Sequence, residues 1–295
     1  MTTSRSETLE RERRWARPAG IAAILIAPLF IVSLYLEGSS AALGEVLPSE
    51  QYRVIDQDAG RLLPGYIAQG LALALSALPL LYLFRAAQAR SQRVSPAMLG
   101  FALIGPLLYA AALILTNLAR IQVASDFVAQ AGGGGDIYTV LQDVGADSTI
   151  LTIGSTLFLP AALAMVVAMV YICLQAQRAG LLTRFFGSLG MALGVLLLLI
   201  NPRFSLLVLA IWFGWLGFLI LDRTPRGRPP AWAAGEAVPW LKPGEEPAAS
   251  TRAQASNGAV EGDASEVLPV ASSTQAKDNS ARRERARKRK RKRRR

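Results

Sequence analysis

The chain has 295 residues, of which 52% are apolar and only 18% charged, where an ordinary soluble domain has roughly one-quarter charged residues. Its net charge of +11 is local: residues 282–295 hold twelve basic side chains and one Glu, so everything before them sums to zero. With no histidine and a single cysteine, Cys173, the composition excludes an internal disulfide, histidine ligation of haem and any Ser–His or Cys–His catalytic pair.

Residues 98–119, 148–177 and 185–202 contain no Asp, Glu, Lys or Arg and are apolar all round instead of along one face. Uncharged stretches of about 18 residues or more suit a hydrocarbon layer roughly 30 Å thick. In chain order the pattern predicts six spans, at 18–36, 66–84, 96–119, 148–174, 186–200 and 204–221. The fifth has only 15 residues and is joined to the sixth by Asn201, Pro202 and Arg203, which predicts a tight helical hairpin. The expected fold is all-α: a polytopic membrane bundle of six transmembrane helices with a disordered C-terminal tail.

Residues 1–17 form a polar N-terminal segment. An apolar run followed by Ser40, Ala41 and Ala42 superficially resembles a cleavable secretory signal, but the run is 19 residues long, beyond the usual 7–15, and an uncleaved first span is expected. Placing the N-terminus in the cytoplasm puts 28 of the 32 Lys and Arg residues inside and leaves only Arg53, Arg61, Arg120 and Arg203 outside. The positive-inside rule then gives both termini a cytoplasmic location. The two long outer loops, 37–65 and 120–147, are acidic; the first holds Glu37, Glu45, Glu50, Asp56 and Asp58. Trp15, Tyr35, Tyr66, Tyr82, Phe84 and Tyr171 fall where interfacial anchors belong.

After residue 221 the composition turns to Pro, Ala, Gly, Ser and Glu. Such a segment buries too little to offset its ordering entropy, so 222–281 is expected to be a disordered linker with a reach of about 40–45 Å. Trp232 and Trp240 are its two aromatic exceptions. It ends in the polybasic tail 282–295.

Five features within this frame carry candidate functions. Gln69, Asn117, Arg120, Thr149, Thr152 and Thr156 fall in the outer half of the bilayer, the three threonines on one helical stripe. They line an outward-facing polar vestibule in one reading and hydrogen-bond helices together in the other. Pro28, Pro79, Pro106 and Pro160 place a proline inside each of the first four spans, either as hinges or as ordinary membrane-helix prolines. Gly187, Gly190 and Gly194 on span five, with Gly214 and Gly217 on span six, are expected to pack those two helices against each other. The glycine run 132–135 before Asp136 contains a Gly-x-Gly-Asp string, but aspartyl protease chemistry needs a second carboxylate at membrane depth, and none exists. Nor does a Gly-Lys-Ser/Thr follow to make a phosphate loop.

The fifth is the terminal block, with Arg287, Lys288, Arg289, Lys290, Arg291, Lys292 and Arg293 at its centre. It suits anionic lipid headgroups, non-specific nucleic acid or an acidic protein. It lacks the interleaved aromatics that base readout needs. Tethering makes the anionic leaflet its nearest partner.

Arg17-Pro18-Ala19-Gly20 at the entry to the first span, the acidic outer loop and a six-span body ending at 221 resemble a family of six-span bacterial membrane proteins of unknown function. The resemblance covers residues 11–221 and implies architecture alone. The preference for Arg over Lys, 27 to 5, fits a GC-rich bacterial genome, and the bacterial inner membrane is the expected location. No catalytic, metal or cofactor motif is present in the sequence. The reading is therefore a non-enzymatic scaffold or sensor whose tail engages anionic lipid or an acidic partner. The alternative is a transporter for a small neutral or cationic solute.

Overall fold

A computed structural model of the chain describes residues 5–38, 48–131, 137–199, 202–225 and 227–240. The glycine run with Asp136, the connection at residues 200–201 and everything after 240, including the expected polybasic tail, lie outside the described residues.

All regular secondary structure among the described residues is helical. In order come α1 (Arg5–Gly38), α2 (Pro48–Gln57), α3 (Ala59–Leu75), α4 (Ala77–Arg90), a 3-10 turn (Pro96–Met98), α5 (Leu99–Ala131), α6 (Ile137–Asp147), α7 (Thr149–Arg178), α8 (Arg184–Leu199), α9 (Pro202–Ile220) and α10 (Pro230–Ala234). Four stretches are long and apolar enough to cross a membrane: Ser6–Gly38, Ala59–Arg90, Pro96–Gln130 and Thr149–Arg178. The helices α8 and α9 are shorter but equally apolar.

The spans are longer than the sequence pattern predicts because charged turns continue them. The polar N-terminal segment is helical from Arg5, and the described parts of the two acidic segments expected as outer loops are largely helix, as α2, the start of α3, the last turns of α5 and α6. Polar residues end a hydrophobic stretch without ending a helix when good helix formers follow. Of the four expected proline sites only Pro79 coincides with a break. It has no N–H for the Leu75 carbonyl and its ring crowds that carbonyl. The chain answers with a tight turn at Ser76, whose N–H and hydroxyl both donate to the Leu73 carbonyl, at 3.1 and 2.6 Å. Pro28, Pro106 and Pro160 sit inside uninterrupted helices.

Packing follows the small residues. Helix α5 lies along α7, α1 along α9 and α3, and α7 along α8. The interior is rich in alanine (Ala23, Ala72, Ala112, Ala161 and Ala176 are all fully buried), while Ile31, Ile104, Leu159 and Ile211 are among the large apolar side chains turned outward. That inversion is expected where hydrocarbon surrounds the bundle, since close backbone approach then drives association. A Cβ on Gly105 would lie 2.9 Å from the Ala164 carbonyl of α7, and one on Gly217 would lie 2.7 Å from the Gly20 carbonyl of α1. The glycines expected to join spans five and six mostly serve other partners. Gly187 faces Gln177 and Gly194 faces Met169 on α7; Gly190 meets Cys173 of α7 as well as Trp212 of α9; Gly214 and Gly217 face α1. A small-residue motif specifies a close approach but not the helix that makes it.

Hydrogen bonds fix which helix ends lie together. The start of α1, the end of α4, the start of α5, the end of α7, the start of α8 and the end of α9 share one end, through Arg90 to Glu12, Ser95 to Tyr171, Arg184 to Trp240 and Arg228 to Leu219. This end carries Arg13, Arg14, Arg17, Arg85, Arg178 and Arg223, all exposed. The opposite end carries most of the described acidic residues and is covered by α2, where Ile55, Leu62, Tyr66 and Ala124 form a small separate core.

Candidate functional site

At the basic end two helices and the segment after α9 meet on one arginine. Arg90 occupies the last turn of α4, and its side chain is fully buried. Both terminal nitrogens donate to the Glu12 carboxylate of α1, with Nη2 to Oε2 at 2.9 Å. Nη1 also donates to the Ala86 carbonyl at 2.9 Å, and Nε donates to the Ala231 carbonyl at 3.0 Å. Four of the five guanidinium N–H groups are thus occupied, which is the condition for holding such a charge out of water.

Ala231 belongs to α10, a single turn whose limits are written in the sequence. Pro230 starts it, and Gly235 ends it with φ of 65°, the usual proline-first, glycine-last arrangement of a helix. The turn delivers Trp232 into the bundle, where it is 4% exposed. Its ring stacks on Tyr82 with centroids 5.7 Å apart and 9° between planes. The Arg90 and Arg228 guanidinium carbons lie 5.5 and 5.4 Å from its centroid, within cation–π range. The indole N–H donates to the Leu181 carbonyl at 2.9 Å.

The remaining segment is held along the α7–α8 turn. Val238 N–H donates to the Ala179 carbonyl at 3.2 Å, the Trp240 indole donates to Leu182 at 2.8 Å, and Arg184 donates to the Trp240 carbonyl at 2.9 Å. Gly180, with φ of 77°, is required twice over: its backbone is left-handed, and a Cβ there would collide with the Val238 carbonyl. The first part of the expected linker, residues 227–240, is thus held against the bundle, and the compact unit closes at Trp240. Most donors of this cluster are occupied by the Glu12 carboxylate and by backbone carbonyls, so it works as a lock on the segment.

The predicted vestibule residues do not come together as a group. Gln69 and Asn117 are both buried and meet across α3 and α5, Asn117 Nδ2 donating to Gln69 Oε1 at 3.4 Å. Arg120 is exposed on α5. Thr149, Thr152 and Thr156 share a stripe as expected, but it lies on the exposed face of α7. Thr152 can face that way because its hydroxyl donates to the Ser148 carbonyl one turn back, at 3.2 Å. Among the expected anchors, Trp15 and Tyr35 are exposed, while Tyr66, Tyr82 and Phe84 are buried in the bundle.

No family model matches this chain, and neither a curated protein nor a solved structure is similar to it. Sequence reasoning passed over Arg90, Glu12 and Tyr82 as components of one site. Only α10 had a local signal, in the run Pro-Pro-Ala-Trp-Ala-Ala-Gly at 229–235.

Proposed function

We propose that the chain is a six-span scaffold of the bacterial inner membrane, with both termini cytoplasmic, whose bundle presents a basic tail to anionic lipid or to an acidic partner. The observation that carries this reading is the lock on residues 228–240: the segment is held down to Trp240 at the α7–α8 turn, at the basic end. Positive charge gathered at one end supports the orientation. The six-span count is supported by α8 and α9, whose Phe185, Leu199, Ile211, Trp215 and Phe218 are exposed and need an apolar solvent. Helices of 16 and 19 residues have lengths of about 24 and 28 Å, which fits a locally thinned bilayer. A transporter would need its polar residues to share a cavity. Gln69 and Asn117 instead bind each other, and the threonines face outward.

The test uses full-length protein reconstituted in zwitterionic vesicles. Added vesicles rich in anionic lipid should be captured, and capture should fall as salt rises. Deleting residues 282–295 should abolish it. Capture that ignores salt, or survives the deletion, removes the tail from this function.

A further inference from the structure

A groove of about 390 Å³ opens between α1 and α4 beside the lock. Its two walls change character in the same direction. On α4 the lining runs from Leu78 and Leu81 to Arg85, and on α1 from Ala19 and Trp15 to Arg11. The apolar and basic ends of each wall are separated by seven or eight helical residues, or about 10–12 Å. Glu12 also lines the groove, but its carboxylate is taken by Arg90. Arg11 and Arg85 are exposed, and neither has a hydrogen bond or ion pair to another described residue. Two guanidinium groups without a described partner therefore line a groove whose one lining acid is already paired. Trp15, 55% exposed, stands at the rim, the depth at which indole rings meet lipid headgroups.

We propose that this groove binds an anionic phospholipid, with the phosphate between Arg11 and Arg85 and the upper acyl chains along Leu78 and Leu81. Guanidinium groups match phosphate oxygens in geometry as well as charge, and basic pockets between transmembrane helices are established sites for acidic headgroups. The apolar lower half distinguishes a lipid from a free anion: Leu78 is 38% exposed, on the side where acyl chains lie. The site rests on the bundle spanning a bilayer and is independent of the polybasic tail.

Full-length protein purified in detergent would be titrated with dioleoyl phosphatidylglycerol or dioleoyl phosphatidylcholine, and bound lipid counted by native mass spectrometry. Phosphatidylglycerol should be retained in preference. Removing both charges in R11Q/R85Q should weaken its binding roughly thirtyfold, while R13Q, on the same helix but outside the groove, should leave it unchanged. Ala89→Trp, which fills the groove without altering charge, should exclude the lipid. Deleting residues 282–295 should have no effect on this site, even if the tail proves to bind nothing. Equal retention of phosphatidylcholine, or unchanged binding by R11Q/R85Q or Ala89→Trp, would overturn the proposal. So would displacement of the lipid by equimolar inorganic phosphate, or loss of binding with the tail.

Discussion

The two ends of the bundle carry opposite charge and are closed by different means. At the basic end a segment distant in sequence folds back and is held by a buried ion pair, a stacked indole and a series of hydrogen bonds to carbonyls. At the acidic end the cover is apolar. Helix α2 lies against the extension of α5 through apolar contacts, with Tyr52 and Phe127 at 6.0 Å between centroids, and its ion pair, Arg53 with Glu50, is exposed within one helix. The contrast is one of energetic concentration. Burying Arg90 concentrates stability in one residue, because the Ala231 carbonyl would be left unpaired in the interior and Glu12 would lose its counter-ion. The acidic end spreads more of its stability over apolar area, although it too buries an ionisable group, Glu37, whose carboxylate accepts from the Ser33 hydroxyl at 2.7 Å.

Substitutions can break or sharpen that contrast. The largest effect is expected for Arg90→Ala, which strands the Glu12 carboxylate and the Ala231 carbonyl; about 3–5 kcal/mol should be lost. Unfolding in detergent would measure it, and limited proteolysis should now cut between residues 228 and 240. Phe127→Ala should cost about 3 kcal/mol at the other end, exposing α2 to proteolysis while leaving 228–240 protected. If cleavage appeared at both ends in either variant, the ends would be coupled and the comparison lost. Trp232→Phe keeps the stack on Tyr82 but removes the donor to Leu181, for about 1 kcal/mol. Asn117→Ala should cost about 0.6 kcal/mol, the typical worth of an interhelical polar contact in a membrane. Arg53→Ala should change stability by less than about 0.5 kcal/mol; a larger loss would show that the acidic end also depends on a charge.

The sequence made the body of the fold legible and the lock illegible, for physical reasons. Uncharged runs such as 148–177 announce a span because hydrocarbon tolerates nothing else, and helix α7 follows that run closely. The extension of α5 and the amphipathic α2 were hidden by their acids. Yet Tyr52 and Ile55, three residues apart in 48–57, already mark one apolar face. The partner of each glycine depends on which helices the topology makes neighbours, and no local pattern holds that information. The threonine stripe of α7 illustrates the same limit, since periodicity defined the face but not its direction. Arg90 and Glu12 are 78 residues apart, and each alone looks like an ordinary charge at a helix end. Composition also misled at Trp232, because one buried indole with a satisfied N–H outweighs the polar character of its neighbours.

The lock requires residues at the start of α1 and after α9 to lie at one face of the bundle. Single cysteines at Arg14 and Glu236, in a Cys173→Ala background, can be exposed to a membrane-impermeant thiol reagent in sealed vesicles of each orientation. Both positions should be labelled in inverted vesicles and protected in right-side-out ones. Labelling of the two positions from opposite sides would contradict the shared basic end, and with it the lock between α1, α4 and α10.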